Sequence, residues 1–112
     1  MARKRKAFSK LPSSHEEYHP DKKAKRLFEA ILKLKTTEEA AKFFRDLLTI
    51  GEIEEFSNRW QMAKLLSKGY SYSEVAEKVG ASTTTVARVA HWLFSGCGGY
   101  KLILERFKRR KK

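Results

Sequence analysis

The residues with the clearest chemical potential lie in the segment VAEKVGASTTTVARV, residues 75–89. Five side chains at the start of a predicted helix stand out there: Thr83, Thr84, Thr85, Ala87 and Arg88. Threonine is a mediocre helix former, so helix propensity does not explain three in a row. Their hydroxyls can bond to phosphates or base edges, and their methyl groups can contact the thymine methyl. This pattern favours DNA contact; the alternative is a helix that Ser82 and its neighbours simply cap.

Other kinds of chemistry find little support in the sequence. Cys97 is the only cysteine, which excludes an internal disulfide and a cysteine-based zinc site. The histidines, His15, His19 and His91, show no metal-ligand spacing on a shared face. We find no nucleophile–base arrangement and no glycine-rich phosphate loop. The sequence therefore predicts a protein that is not an enzyme and that holds no metal or cofactor.

Hydrophobic spacing predicts six helices and no strands, so the predicted fold class is all-α. The helical segments read DKKAKRLFEAILKLK, KTTEEAAKFFRDLLT, IGEIEEFSNRWQMAKLLSKG, YSEVAEKV, TTTVARVAHWLF and YKLILERFKRR. Serine or threonine followed three residues later by glutamate marks three of the helix starts, at residues 36, 49 and 71. Pro20 is expected in the first turn of the first helix. In the last helix, Leu102 or Ile103, Leu104 and Phe107 are expected to be buried.

The fourth and fifth helices have the features of a helix-turn-helix. Ala76 is small enough for a close helix crossing, and Gly80 permits a positive φ at the turn. The predicted inner side chains are Val75, Val79, Val86, Val89 and Leu93. The outward side chains and their flanks form the predicted DNA-binding set: Tyr72, Ser73, Lys78, Thr83, Thr84, Thr85, Ala87, Arg88 and His91. A purely structural helical hairpin is the alternative.

The positive charge of the chain is concentrated at its ends. The formal net charge is +12. Residues 1–10 and 101–112 together carry twelve of the 25 basic residues and only one of the 13 acidic residues. We therefore divide the chain into a disordered basic arm (1–19), a helical domain (20–107) and a basic tail (108–112). Basic ends suit a polyanion such as nucleic acid, although they can also serve only solubility. No apolar run is long enough to span a membrane, so we expect a cytoplasmic, nucleoid-associated protein.

Large apolar residues are crowded into the first three predicted helices. Phe28, Phe43, Phe44, Phe56 and Trp60 are difficult for a chain of 112 residues to bury alone. A homodimer that shares one core would solve this problem, and symmetric dimers are the commonest oligomers. A monomeric bundle is the alternative.

Residues 25–107 resemble the tryptophan repressor superfamily, and in particular its YerC/YecD-type branch. The resemblance rests on LLTIGEIEEFSNRW, on LLSKGYSYSEVAEKVGASTTTVARV and on GGYKLILERF. It implies a six-helix intertwined homodimer, a helix-turn-helix in the fourth and fifth helices, and transcriptional repression. It also implies an effector pocket, because Thr49, Arg59 and Arg88 match the positions that receive tryptophan in ligand-binding members.

Two positions depart from the tryptophan-binding pattern. Val89 stands where the family usually has a glycine, and Trp92 stands where a serine helps to receive the ligand. Trp92 follows Arg88 by four residues and shares a helical face with it. We hypothesise that the Trp92 indole fills the effector space, over a guanidinium, so that DNA binding does not need free tryptophan. The alternative is that Trp92 packs elsewhere between helices.

The sequence thus predicts a sequence-specific DNA-binding regulator, a repressor that does not depend on tryptophan. A repressor gated by another small metabolite is one alternative, with Arg59 and Arg88 meeting its carboxylate. A non-catalytic protein that uses its basic ends on RNA is another. The expected partners are double-stranded DNA and a second copy of the chain.

Overall fold

The structure is a computed structural model that describes residues 17–110. The part of the basic arm before residue 17 and the last two residues of the basic tail lie outside that range. Within it the chain forms six helices and no strand, which confirms the all-α prediction. The helices are α1 (Lys22–Ile31), α2 (Thr37–Leu47), α3 (Ile50–Ser67), α4 (Tyr72–Val79), α5 (Thr83–Ser95) and α6 (Gly99–Arg110). Helix α6 ends at Arg110, where the predicted segment YKLILERFKRR also ends.

Contacts divide these residues into two compact units. One unit is Tyr18–Ser57, with α1, α2 and the start of α3, and the other comprises the described residues from Asn58 onward. Helix α3 begins in the first unit and ends in the second.

In Tyr18–Ser57, polar caps set the start of each helix. Asp21 is the N-cap of α1 and accepts from the Ala24 N–H at 2.8 Å, so the helix begins after Asp21 and not at Pro20 as predicted. Thr36 caps α2 through the Glu39 N–H. Local backbone satisfaction therefore determines where these helices begin.

Apolar stripes in this first unit remain accessible. None of its residues is buried, although all of them are described. Leu32 is 82% exposed and Ile50 58% exposed, and Phe28, Leu47 and Phe56 are each more than two-fifths exposed. The sequence indicated that a single chain would have difficulty burying these apolar residues. In the structure, several of them do remain exposed.

The second unit contains the buried core of the described chain. Its buried apolar side chains are Met62, Ala63, Leu65, Leu66, Val75, Ala76, Val86, Val89, Ala90 and Leu93. They come from the end of α3 and from α4 and α5, so the core lies directly beneath the helix-turn-helix.

Helix α6 adds less to the core than predicted. Tyr100 and Leu104, one turn apart, pack against it while remaining partly accessible. Leu102, Ile103 and Phe107 are 49%, 40% and 54% exposed, so the expectation that they are buried is wrong. Leu102 and Ile103 lie off the Tyr100–Leu104 side of the helix, and the Phe107 ring lies 6.0 Å from the Trp60 ring instead of in the core.

Candidate nucleic-acid interface

Helix α4 begins with a complete capping box. The Ser71 hydroxyl accepts from the Glu74 N–H at 3.1 Å, and the Ser71 N–H donates to the Glu74 carboxylate at 2.8 Å. This backbone hydrogen bond, with the one from the Ser71 side chain, lowers the pKa of Glu74 below its ordinary value. The sequence signature predicted this helix start, and the structure confirms it.

The turn between α4 and α5 depends on Gly80. Its φ is +80° and its ψ is 43°, a left-handed conformation that side-chain-bearing residues rarely adopt. The N–H groups of Gly80 and Ala81 both donate to the Ala76 carbonyl, at 2.8 and 2.9 Å. A Cβ at Gly80 would meet no atom within 4 Å, so the demand for glycine is conformational and not steric.

Helix α5 begins immediately after this turn, with Ser82 as its N-cap. The Ser82 hydroxyl accepts from the Thr85 N–H at 3.2 Å and lies 3.1 Å from the Thr85 hydroxyl. Thr85 is half-buried. The capping alternative therefore accounts for Thr85, whose hydroxyl serves the helix start, but these bonds do not involve Thr83 or Thr84.

The inner faces of α4 and α5 close on one another. Val75, Val86 and Val89 are 0% exposed and Leu93 is 1% exposed, as the sequence predicted. Val79 packs against this core while remaining partly accessible. Burial of branched side chains on both helices fixes their relative orientation.

The outer face of α5 is accessible. Thr83, Thr84, Ala87, Arg88 and His91 are all exposed. The surface that would meet DNA is therefore presented outward over a closed core, with the start of α5 at its leading end.

The flanking residues of the predicted DNA-binding set differ in their surroundings. Ser73 is exposed, whereas Tyr72 is half-buried and packs against the core. The Lys78 ammonium lies 5.2 Å from the centre of the Tyr70 ring. Tyr70 was not in the predicted DNA-binding set. Its position immediately before the Ser71 cap was the one sequence feature that could have drawn attention to it.

Charges on the helix-turn-helix balance. Residues 71–95 carry Glu74, Glu77, Lys78 and Arg88. In the same unit, Lys64 lies on α3, Lys68 follows the end of that helix, and Lys101 and Lys108 lie on α6. Attraction to phosphates must therefore come mainly from outside the motif.

Two residues of the predicted effector region meet in the structure. The guanidinium carbon of Arg59 lies 5.3 Å from the centre of the Trp92 ring, within the range of a cation–π interaction. Trp92 is half-buried, packs against the core, and lines a shallow hollow of about 490 Å³ with Gly96, Cys97, Gly99 and Tyr100. The guanidinium over the indole belongs to Arg59 on α3.

The other predicted effector residues have different settings. Thr49 lies in the unit Tyr18–Ser57, where it forms a reciprocal cap with Glu52 at the start of α3. Arg88 is exposed on the outer face of α5. Within the second unit, the structure brings together Arg59 and Trp92.

An aromatic cluster lies beside the Arg59–Trp92 contact. The sequence indicated that Trp60 and Phe107 need burial, but it did not predict that they cluster with Tyr100. The Trp60 ring stacks 6.3 Å from Tyr100 and lies 6.0 Å from Phe107. Burial raises the pKa of the Tyr100 hydroxyl, and the charge of Arg59 acts in the opposite direction. Trp60 and Phe107 also line a groove of about 370 Å³ between α3 and α6, whose charged lining residues are Lys64, Lys68, Lys101, Glu105 and Lys108.

Residues 17–110 contain neither a metal-binding cluster nor a membrane-spanning helix. They contain no group of three or more metal-binding side chains close enough to hold an ion. None of their helices is long and apolar enough to cross a membrane.

Comparisons with known proteins agree with this geometry. The family model described as Trp repressor protein matches residues 22–108. The uncharacterized protein YerC of Bacillus subtilis (strain 168) is 40% identical over 87 residues, which cover 78% of this chain and 84% of YerC.

Two solved structures are also similar. A TrpR-like protein from Eubacterium eligens ATCC 27750 superposes with a TM-score of 0.75 at 43% identity, covering 79% of this chain and 91% of that one. A candidate Trp repressor from Staphylococcus aureus superposes with a TM-score of 0.75 at 40% identity, covering 80% and 89%.

The fold and the helix-turn-helix are those of a family of DNA-binding regulators. The chain belongs to the Trp repressor family.

Proposed function

We propose that this protein is a homodimeric, sequence-specific repressor that acts by occupying a DNA operator. The observation that carries the proposal is the exposed outer face of α5, presented over a closed core by a fully capped helix-turn-helix. A rigid wedge of this kind fits the major groove of duplex DNA. The protein has no catalytic role in this proposal, and it acts at the nucleoid in the cytoplasm.

The surface of residues 18–57 supports dimerisation in this proposal. Their apolar side chains are exposed to water, and a second copy of the chain offers apolar surface of the same kind that can bury them. A dimer would also present two copies of α5, so that two half-sites about one helical turn apart can be bound together.

The basic ends supply the general affinity for phosphates in this proposal. The helix-turn-helix has balanced charges, whereas residues 1–10 contain five basic residues and residues 108–112 contain five more. Removing both ends should weaken binding to every duplex and flatten its salt dependence, since fewer counterions are released. A salt slope that does not change after the deletion would contradict this role.

DNA binding does not require free tryptophan in this proposal. The support is the Arg59–Trp92 contact, in which the Trp92 indole lies against the guanidinium of Arg59. The family resemblance assigns a bound tryptophan to the neighbourhood of that guanidinium. Calorimetry of the purified protein should detect no tryptophan binding in the micromolar range. Micromolar binding, or operator affinity that rises on adding tryptophan, would overturn this part.

The proposal is tested by measuring fluorescence anisotropy with duplex DNA and structured RNA of equal length at matched salt. We expect tighter binding to a duplex selected from a random pool than to RNA or scrambled duplex. Preference for RNA would favour the RNA-associated alternative. A metabolite that raises both the melting temperature and the operator affinity would instead identify a ligand-gated repressor.

A further inference from the structure

The buried residues of α5 determine which of its side chains point outward. Val86, Val89, Ala90 and Leu93 are buried along one side of the helix. At 3.6 residues per turn, the opposite side carries positions 84, 88 and 91 in one row. Those positions hold Thr84, Arg88 and His91, all exposed, and Ala87 lies beside them. We call Thr84, Ala87, Arg88 and His91 the reading stripe.

We propose that the reading stripe recognises a half-site in which a thymine and a guanine lie within about two base pairs of each other. Thr84 and Ala87 contact the thymine methyl group, and Arg88 binds the guanine. This inference rests on the proposed function and adds to it the chemical identity of the bases that are read.

The side-chain chemistry assigns the bases. Apolar contact from threonine or alanine selects the methyl group that thymine alone presents in the major groove. Arginine makes its most frequent specific contact with O6 and N7 of guanine, through two parallel hydrogen bonds. Four residues of helix separate Thr84 from Arg88, about 6 Å along the axis. Base pairs are about 3.4 Å apart, so the two contacts fall within two steps.

Two further observations restrict the assignment. Thr85 is left out of the reading stripe, because it is half-buried and its hydroxyl pairs with Ser82 at the start of the helix. Arg88 is the only lysine or arginine in Thr83–Ser95, while basic residues for phosphate contacts are available on α3, on α6 and at the chain ends. This division of labour leaves the Arg88 guanidinium for a base edge.

The test uses the full-length protein and the duplex that it selects from a random pool. Each thymine of the selected half-site is replaced in turn by deoxyuridine, which removes only the methyl group. The protein variants are Thr84→Ser, which keeps the hydroxyl, Thr84→Val, which keeps the methyl groups, and Arg88→Ala. Ser95→Ala is the matched control, because Ser95 is exposed on the same side of α5 but lies about three turns beyond Thr84 and about two turns beyond Arg88.

We expect one deoxyuridine replacement to weaken wild-type binding about fourfold, the value of one buried methyl group. Thr84→Val should retain this sensitivity, whereas Thr84→Ser should lose much of it. Arg88→Ala should weaken binding to the guanine-containing site by roughly 5- to 150-fold, while sites with another base at that position change little. Ser95→Ala should behave like the wild type.

Other results would overturn the inference in distinguishable ways. If Arg88→Ala weakens all duplexes equally and reduces the salt slope by about one, Arg88 contacts a phosphate. If deoxyuridine replacement has no effect at any thymine, the methyl contact is absent. In both cases the protein still binds DNA specifically and the proposed function stands. If no duplex is enriched from the pool, the proposed function fails, and this inference fails with it.

Discussion

Residues 18–57 and the described residues from 58 onward both consist of helices with apolar stripes. The two regions differ in how far those stripes are buried. In the second region, three helices converge on a core that includes Val75, Val86 and Leu93, each at most 1% exposed. In the first region no residue is buried, and Leu32 is 82% exposed. The helix-turn-helix is therefore stabilised by its own core, whereas residues 18–57 bury no side chain within the single chain.

This difference separates two tasks. The helix-turn-helix must hold α5 in one orientation to meet DNA, so its core is closed within the chain. In the proposed dimer, residues 18–57 must leave apolar surface for the partner, so their side chains remain exposed until assembly. Substitutions in the two regions should consequently have different signatures, one independent of protein concentration and the other dependent on it.

The largest effect is expected from a charge placed in the first region. Ile50→Asp suits the first turn of α3 electrostatically, but in a dimer it would bury an unpaired carboxylate at a cost of about 3–5 kcal/mol. Leu47→Asp should act similarly on the end of α2. Analytical ultracentrifugation should show a dimer for the wild type and a monomer for both variants.

Exposed Lys33 of the same region supplies the control. Lys33→Asp changes the charge by more than either variant but removes little apolar surface, so the dimer should persist. The wild-type thermal midpoint should also rise with protein concentration. If both variants remain dimeric, residues 18–57 are not covered in the way we propose.

A substitution in the core of the second region should be the next most severe. Leu93→Ala removes a side chain that is 1% exposed and should lower the free energy of unfolding by about 2–5 kcal/mol. Urea denaturation at several protein concentrations measures this. The loss should be similar at each concentration, and a loss below about 1 kcal/mol would mean that the core is looser than the structure indicates.

At the turn, Gly80→Ala should cost about 1–2 kcal/mol, because an alanine must adopt φ near +80°. Gly80→Asn should recover part of that loss, since asparagine tolerates the left-handed region. Thermal unfolding of both variants checks the order glycine, asparagine, alanine. Equal stability of the alanine and asparagine variants would argue that the turn relaxes to another conformation.

Loss of the cap on α5 should have a smaller effect. Ser82→Ala removes the acceptor for the Thr85 N–H and should cost about 1 kcal/mol. Ser82→Asp, which retains an acceptor, should restore the free energy of unfolding to near the wild-type value. An alanine variant as stable as the wild type would show that this cap does not hold the start of α5.

The smallest effect concerns pH. Hydrogen bonds from Ser71 lower the pKa of Glu74 in the folded protein, so its stabilising contribution is full above the ordinary value of 4.5 and is lost as pH falls through the lowered pKa. Glu74→Gln keeps an acceptor for the Ser71 N–H but does not titrate. Its melting temperature should fall less than that of the wild type between pH 6 and pH 3. Parallel declines would contradict the assignment.

The helix-turn-helix could be predicted closely from the sequence, because each of its requirements is local. Ser71 with Glu74, Gly80 and Ser82 mark the helix ends through hydrogen bonds or dihedral angles that involve residues within four positions. The valine spacing then identifies the buried side without knowledge of the rest of the chain.

Contacts between distant helices were harder to predict. The partner of Trp92 is Arg59, 33 positions earlier, and only the packing of α3 against α5 places them together. The exposed α6 residues were misjudged for a related reason. Helical spacing identifies an apolar stripe, but it does not say whether the chain itself or a partner covers that stripe. Thr85 shows a different limit, because a hydroxyl suited to DNA can be used by its own helix cap.

The measurement that tests the central claim most directly is selection of duplexes from a random DNA pool by the full-length protein. If each protomer of a dimer presents one helix-turn-helix, the enriched site has two-fold symmetry, and its half-sites are centred about 34 Å apart, close to 10 base pairs. An enriched site without symmetry, or no enrichment at all while the protein remains folded, would contradict it.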